Sequence, residues 1–296
     1  RRIYIMVSLC IKTNNNSTID YLMLHIGKIN LENIVFVKKN FSKYTNIIVH
    51  YIGNNIPEFY NELASIITNC IIDKYEDSII YKLLLLNYFY FDEIDMNIIK
   101  DNCKLLMENN HSDTASIENH INNRKKYLWA SVLRYISYNK AIFLDGFITF
   151  RISEYINCLD EILDFAVSQF VVNREYAEFI DMLRLYISSR TPCTEIIHLI
   201  YLNEEAILLD KQKNVITLAK NNLDKCYLSD ISFSTNDYAL NSLLTLLPSK
   251  LIIHLISPAD DFINTLQVIF GNSASICTDC EICKIYKSLN KTKGSY

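Results

Sequence analysis

The hydrophobic and polar positions of this chain change period twice, and the changes divide it into three stretches. Residues 3–11 read as a strand. Residues 17–28 then place Ile19, Leu22, Met23 and Ile26 at helical spacing, with Ser17 as the candidate N-cap. Ile34 to Lys38 and Asn46 to Ile52 are β-rich runs that can pair as a hairpin. Residues 1–55 therefore predict a small mixed β-α-β-β unit.

From Asn55 the apolar spacing becomes helical. Asn55 can cap and Pro57 suits a first turn, after which Phe59, Leu63, Ile66, Ile67, Cys70 and Ile71 share one face. That helix runs to about Leu86, and further ones are predicted over 91–107, 116–139 and 152–170, with a last one from the cap Asn173 to Ile187. The segment Ala141 to Arg151, with Gly146, is a short extended turn between helices. Residues 56–191 form an all-helical middle on this pattern.

Beyond Pro192 the period drops to two or gives way to continuous apolar runs. Glu195 to Leu202, Ala206 to Asp210, Val215 to Leu218, Lys250 to Ser257 and Ser273 to Cys277 read as strands, and Ser234 to Leu247 and Asp260 to Phe270 as helices. Alternating helices and apolar strands predict an α/β domain with a mixed sheet over 192–283, followed by an unstructured basic tail over 284–296. The fold class is α+β.

Composition narrows the classes. With 296 residues, 50% of them hydrophobic and 21% charged, the chain can bury a sizeable core and is not disordered. Only 5 Gly and 4 Pro exclude collagen-like and low-complexity chains and argue against glycine-loop nucleotide enzymes. No P-loop, GxGxxG, HExxH, nucleophile elbow or kinase set occurs, so no catalytic residue is assigned. A net charge of -4 argues against nucleic acid as a partner. No apolar run is long enough to span a membrane. The start, Arg1-Arg2 before Ile3 to Ile11, imitates a signal peptide but lacks a cleavage site and is read as a strand. Nine cysteines are an odd number and too sparse for a disulfide scaffold, which fits a reducing cytosol.

The strongest chemical signal is Cys277-x-x-Cys280-x-x-Cys283. Thiolates three residues apart in a turn can converge on one zinc ion or an iron–sulfur cluster, but a closed zinc site needs a fourth ligand. An internal echo supplies candidates: Ile196-Ile-His198-Leu-Ile200 recurs as Ile252-Ile-His254-Leu-Ile256, both on predicted strands of one domain. If the strands pair in register, both imidazoles share a face, and His198 or His254 could complete the site. Packed histidines on half-buried strands remain the alternative.

Three weaker features read as structural. Asp145-Gly146 with Arg151 is a glycine-enabled turn with an ion pair. Asp160, Glu161 and Asp164 form a solvated helix face, and Tyr88 to Phe91 belong to the core.

Several segments, in order, resemble the YtxC-like family of sporulation proteins from spore-forming Firmicutes. They are Asn87-Tyr-Phe-Tyr-Phe-Asp92, Leu144-Asp-Gly-Phe-Ile-Thr-Phe-Arg151, Val172-Asn-Arg-Glu-Tyr-Ala-Glu-Phe179, the two Ile-Ile-His-Leu-Ile strands and Ile276-Cys-Thr-Asp-Cys-Glu-Ile-Cys283. The resemblance extends over nearly the whole chain. It implies a cytosolic protein linked to sporulation that acts through protein partners, and it carries over no catalytic or binding residue.

Overall fold

The computed structural model describes residues 5–109, 115–216 and 234–293. The chain divides into two compact units, residues 1–172 and 173–296.

The first unit is built on β1 (Ile5–Thr13), α1 (Asn16–Ile26), β2 (Ile34–Asn40) and β3 (Thr45–Gly53). Asn15, not Ser17, caps α1, because its side chain accepts from the backbone N–H groups of Ser17 and Thr18. Alternation drives the sheet. Leu9 and Ile11 of β1 and Ile47 and Val49 of β3 are fully buried, whereas Val35, Val37 and Ile52 face out.

Five helices and one short strand follow: α2 (Ile56–Asn87), α3 (Glu93–Asn109), α4 (Ala115–Tyr138), β4 (Ala141–Phe143), α5 (Leu144–Phe150) and α6 (Ser153–Ser188). The middle of the chain is thus helical with one exception. Three-residue β4 adds to the first sheet, parallel to β1, giving the order β2-β3-β1-β4. Ile142, opposite Ile11, is fully buried by this pairing. The sheet and the helices that follow share one hydrophobic cluster running from Leu9 to Val167. Within it, the buried Glu76 accepts a hydrogen bond from the Tyr155 hydroxyl and stands 3.5 Å from Arg124 Nε. Helix α6 runs unbroken through Asn173, where the sequence suggests a fresh start, since asparagine costs a helix interior only a few tenths of a kcal/mol, about 0.7 at most. The division between the units falls inside this helix, after Val172.

The second unit holds β5 (Thr194–Leu202), β6 (Glu205–Leu209), α7 (Thr235–Leu246), β7 (Pro248–Leu255), α8 (Asp261–Phe270), β8 (Ala274–Cys277) and α9 (Glu281–Lys293). The sheet order is β6-β5-β7-β8, antiparallel between β5 and β6 and parallel across β5, β7 and β8. Pro248 opens β7, two residues before the strand start expected at Lys250, a position where a strand tolerates the missing N–H. Val215 makes one bridge to Leu209 and the Ile216 N–H donates to the Leu208 carbonyl; residues 217 and 218 of the strand expected at 215–218 lie outside the described residues.

Residue parity sorts this sheet into two faces. Ile197, Leu199 and Tyr201 of β5 and Leu251 and Ile253 of β7 pack with Leu243 of α7 and Ile263, Leu266 and Ile269 of α8. On the opposite face, Ile200 and Leu209 meet Ile282 and Tyr286 of α9. β5 and β7 are covered on both sides, which explains their continuous apolar runs. Residues 281–293 are therefore helical where an unstructured tail is expected. Ile282, Cys283 and Tyr286 fall on one side of the helix and turn toward the sheet, leaving lysines such as Lys284 and Lys287 to water. No helix among the described residues is long and apolar enough to cross a membrane.

Candidate metal centre

The cysteine segment is placed by three successive local events. β8 pairs with β7 so that Cys277 lies directly opposite His254, and both project to the face that α9 covers. The chain then bends through Thr278 and Asp279. Cys280 sits just before α9, where its sulfur accepts the backbone N–H of Cys283 at 3.5 Å, the role of an N-cap. One turn into the helix, Cys283 faces back over the same point and is fully buried.

Four ligand atoms converge. Cys280 Sγ lies 3.6 Å from Cys283 Sγ, and Cys283 Sγ lies 3.9 Å from Cys277 Sγ. His254 Nδ1 stands 3.3 Å from Cys280 Sγ and 3.4 Å from Cys283 Sγ. All four atoms fall within 4.8 Å of one another. A tetrahedral zinc ion with zinc–sulfur bonds of ~2.3 Å and a zinc–nitrogen bond of ~2.0 Å requires sulfur–sulfur separations of ~3.8 Å and sulfur–nitrogen separations of ~3.5 Å. The sulfurs are far beyond the ~2.05 Å of a disulfide. The eight cysteines among the described residues are all free.

His198, the other candidate, does not join the four. β5 and β7 pair with a shift, His198 opposite Ile252 and Ile200 opposite His254. A shift of two residues keeps both imidazoles on one face but sets them on a diagonal. His198 Nδ1 consequently lies 2.9 Å from His254 Nε2, on the side away from the thiols. The sequence motif alone could not choose between the two histidines, because the strand register decides which one meets β8.

The electrostatics suit cation binding. Burial, then the neighbouring His198 and Lys213, pushes the His254 imidazole down to about 4, so it is neutral at pH 7. Burial and Lys213 also lower His198. Burial raises Cys283 to about 11, with its thiol neighbours adding to the effect. Burial pushes Cys280 up too, but the Cys283 N–H and the adjacent thiols outweigh it and leave this thiol below its ordinary value. Crowded thiols that resist ionising together are relieved by a cation among them.

The weaker candidates fall elsewhere. Asp145 opens α5, and no ion pair joins it to Arg151 among the described residues. The acidic face of α6 is not wholly solvated: Asp160 accepts from Asn87 Nδ2 at 2.9 Å and Asp164 accepts from the Tyr88 hydroxyl, tying down the end of α2. Of the aromatic run, Phe91 is buried and Tyr88 packs half-buried against the same cluster, but Phe89 and Tyr90 are 75% and 65% exposed, so only the two ends of the run join the core.

Comparison with known proteins gives the family. The YtxC-like family matches residues 61–274, well over half of the sequence. The chain belongs to the YtxC-like family. Among curated proteins it is similar to the uncharacterized protein YtxC of Bacillus subtilis (strain 168), 23% identical over 146 residues. That alignment covers 47% of this chain and 51% of the relative, so the chain spans about half the length of the protein it matches. No solved structure matches. The YtxC-like match includes His198 and His254 but stops before Cys277, a narrower span than the near-complete resemblance read from the segments.

Proposed function

We propose that the C-terminal unit is a zinc-binding module, with the thiolates of Cys277, Cys280 and Cys283 and Nδ1 of His254 as ligands. The gathering of these four atoms within 4.8 Å carries the reading. Four protein ligands close a zinc site, so the ion's role is structural: it fastens β8 and α9 to β7. A single ion fits better than an iron–sulfur cluster, because a [4Fe–4S] cluster sets each thiolate on a different iron and a [2Fe–2S] cluster sets two ligands on each of two irons, so either spreads four ligands further than the 4.8 Å that encloses these. On this reading the protein works in a reducing cytosol through contacts with protein partners and not as an enzyme. The link to sporulation that the family resemblance implies belongs to the same proposal. Spore counts from a host lacking the gene test it, and undiminished counts remove it.

The test of the metal is purification of the full chain without oxygen or chelators, followed by elemental analysis and a visible spectrum. One zinc per chain and a colourless protein are expected. A brown, iron-containing protein would replace zinc by a cluster. A well-folded protein free of both metals overturns the reading.

A further inference from the structure

The proposed ligands leave one nitrogen of His254 to be accounted for. Its Nδ1 faces the thiols, so a cation there takes the lone pair of Nδ1 and the ring proton must reside on Nε2. His254 is 2% exposed, and a buried N–H without an acceptor is costly. The atom beside Nε2 is Nδ1 of His198, at 2.9 Å. The ring planes are inclined by only 23° with centroids 5.2 Å apart, the separation that two rings meeting edge to edge through these nitrogens require. An in-plane approach is the geometry of a hydrogen bond into a nitrogen lone pair.

We infer that His198 is a positioning residue for the metal centre: its Nδ1 accepts the Nε2–H of His254, fixing the tautomer and aiming Nδ1 at the three cysteines. This rests on the zinc reading above and extends it to a residue that touches no ligand atom of the ion. The two-residue shift between β5 and β7 creates the contact, since pairing without it would set the imidazoles side by side instead of on a diagonal. The Ile-Ile-His-Leu-Ile echo thus supplies one ligand and the partner that orients it. Carboxylates and backbone carbonyls usually do this for metal-bound histidine; here an imidazole in its Nε2–H form does.

The experiment measures zinc affinity of the full chain by competition with a chromogenic chelator, for wild type, His198→Leu and His198→Asn. The Asn side-chain carbonyl sits where Nδ1 of histidine sits and can accept the same hydrogen bond. His198→Leu should weaken zinc binding ~10- to 100-fold with one ion per chain still bound at saturation, and His198→Asn should recover most of the loss. With cobalt in place of zinc, His198→Leu should alter the visible bands and His198→Asn should restore them, which a purely packing role would not do. Circular dichroism in chelator checks folding; if His198→Leu does not fold, His198→Ala takes its place at this half-buried position. Unchanged affinity in the apolar variant, or equal loss in both variants, overturns the inference while the zinc reading stands. A wild type that takes up neither zinc nor cobalt overturns both.

Discussion

Removing each proposed ligand in turn separates a metal centre from four residues that merely pack together. The perturbations are Cys277→Ala, Cys280→Ala, Cys283→Ala and His254→Ala, each unfolded by urea in buffered zinc and again in chelator. In chelator the costs should follow burial. Cys283 is fully buried and loses a group of about methylene size, about 1 kcal/mol, while the half-buried Cys277 and Cys280 lose less. His254, 2% exposed, leaves the largest hole and costs about 2 kcal/mol or more. In zinc held a thousand-fold above its dissociation constant, the ion adds about 4 kcal/mol to the wild type, and every variant forfeits most of it. The four costs then converge, and pairing Cys277→Ala with Cys283→Ala adds little beyond its chelated value. Circular dichroism follows the transition. The single tryptophan, Trp129, lies in the first unit and reports on the unfolding of that unit. Costs that keep their burial order in zinc, or that add independently, would refute the reasoning.

Three further outcomes test other parts of the structure. Glu76→Ala strips the partner from Arg124, whose side chain is 17% exposed, and from the buried Tyr155 hydroxyl; a loss of about 3–5 kcal/mol is expected by urea unfolding followed at Trp129, and a loss under ~1 would show that the network is idle. Asp260 caps α8 by accepting the Ile263 N–H and also accepts from the Tyr201 hydroxyl; burial raises its pKa, but these hydrogen bonds prevail and lower it. A lowered folded pKa means stability that is fully present above the unfolded value of about 4 and lost as pH falls through the folded value. Asp260→Ala should therefore cost about 1 kcal/mol at pH 7 and progressively less on acidification, and a cost independent of pH would contradict the assignment. Thr68 is fully buried in α2 and its hydroxyl has no hydrogen-bond partner among the described residues, so Thr68→Val should stabilise the protein by about 1 kcal/mol; a destabilised variant would mean that the hydroxyl has work to do.

Element type was legible wherever one physical signal dominated. Helical spacing from Phe59 to Ile71 and the continuous apolar runs at His198 and His254 each admitted one reading. The misses occurred where two signals competed. Asn173 reads as a cap in isolation, yet apolar residues on both sides carry α6 through it. Ala141 to Phe143 is too short to announce a strand, and only the open edge of β1 makes it one. Four lysines disguised α9, whose inward positions are few and include a cysteine. The cysteine spacing marked the candidate centre, but the choice of His254 depends on β7 lying next to β8, and the place of His198 depends on a two-residue shift in pairing. Neither quantity is local to the residues concerned.

β8 has only four residues and forms the edge of its sheet, and its last residue is Cys277. So short a strand holds few ladder hydrogen bonds of its own, yet among the described residues it alone pairs with this flank of β7. Were β8 and α9 to detach together, Leu251 to His254 would offer an unpaired row of amides and carbonyls on an apolar strand. Such a flank is a template for strand addition by another chain. On the zinc reading, a fastening at Cys277 guards against self-association, and a chain deprived of zinc should betray itself first by clumping, before any loss of helix.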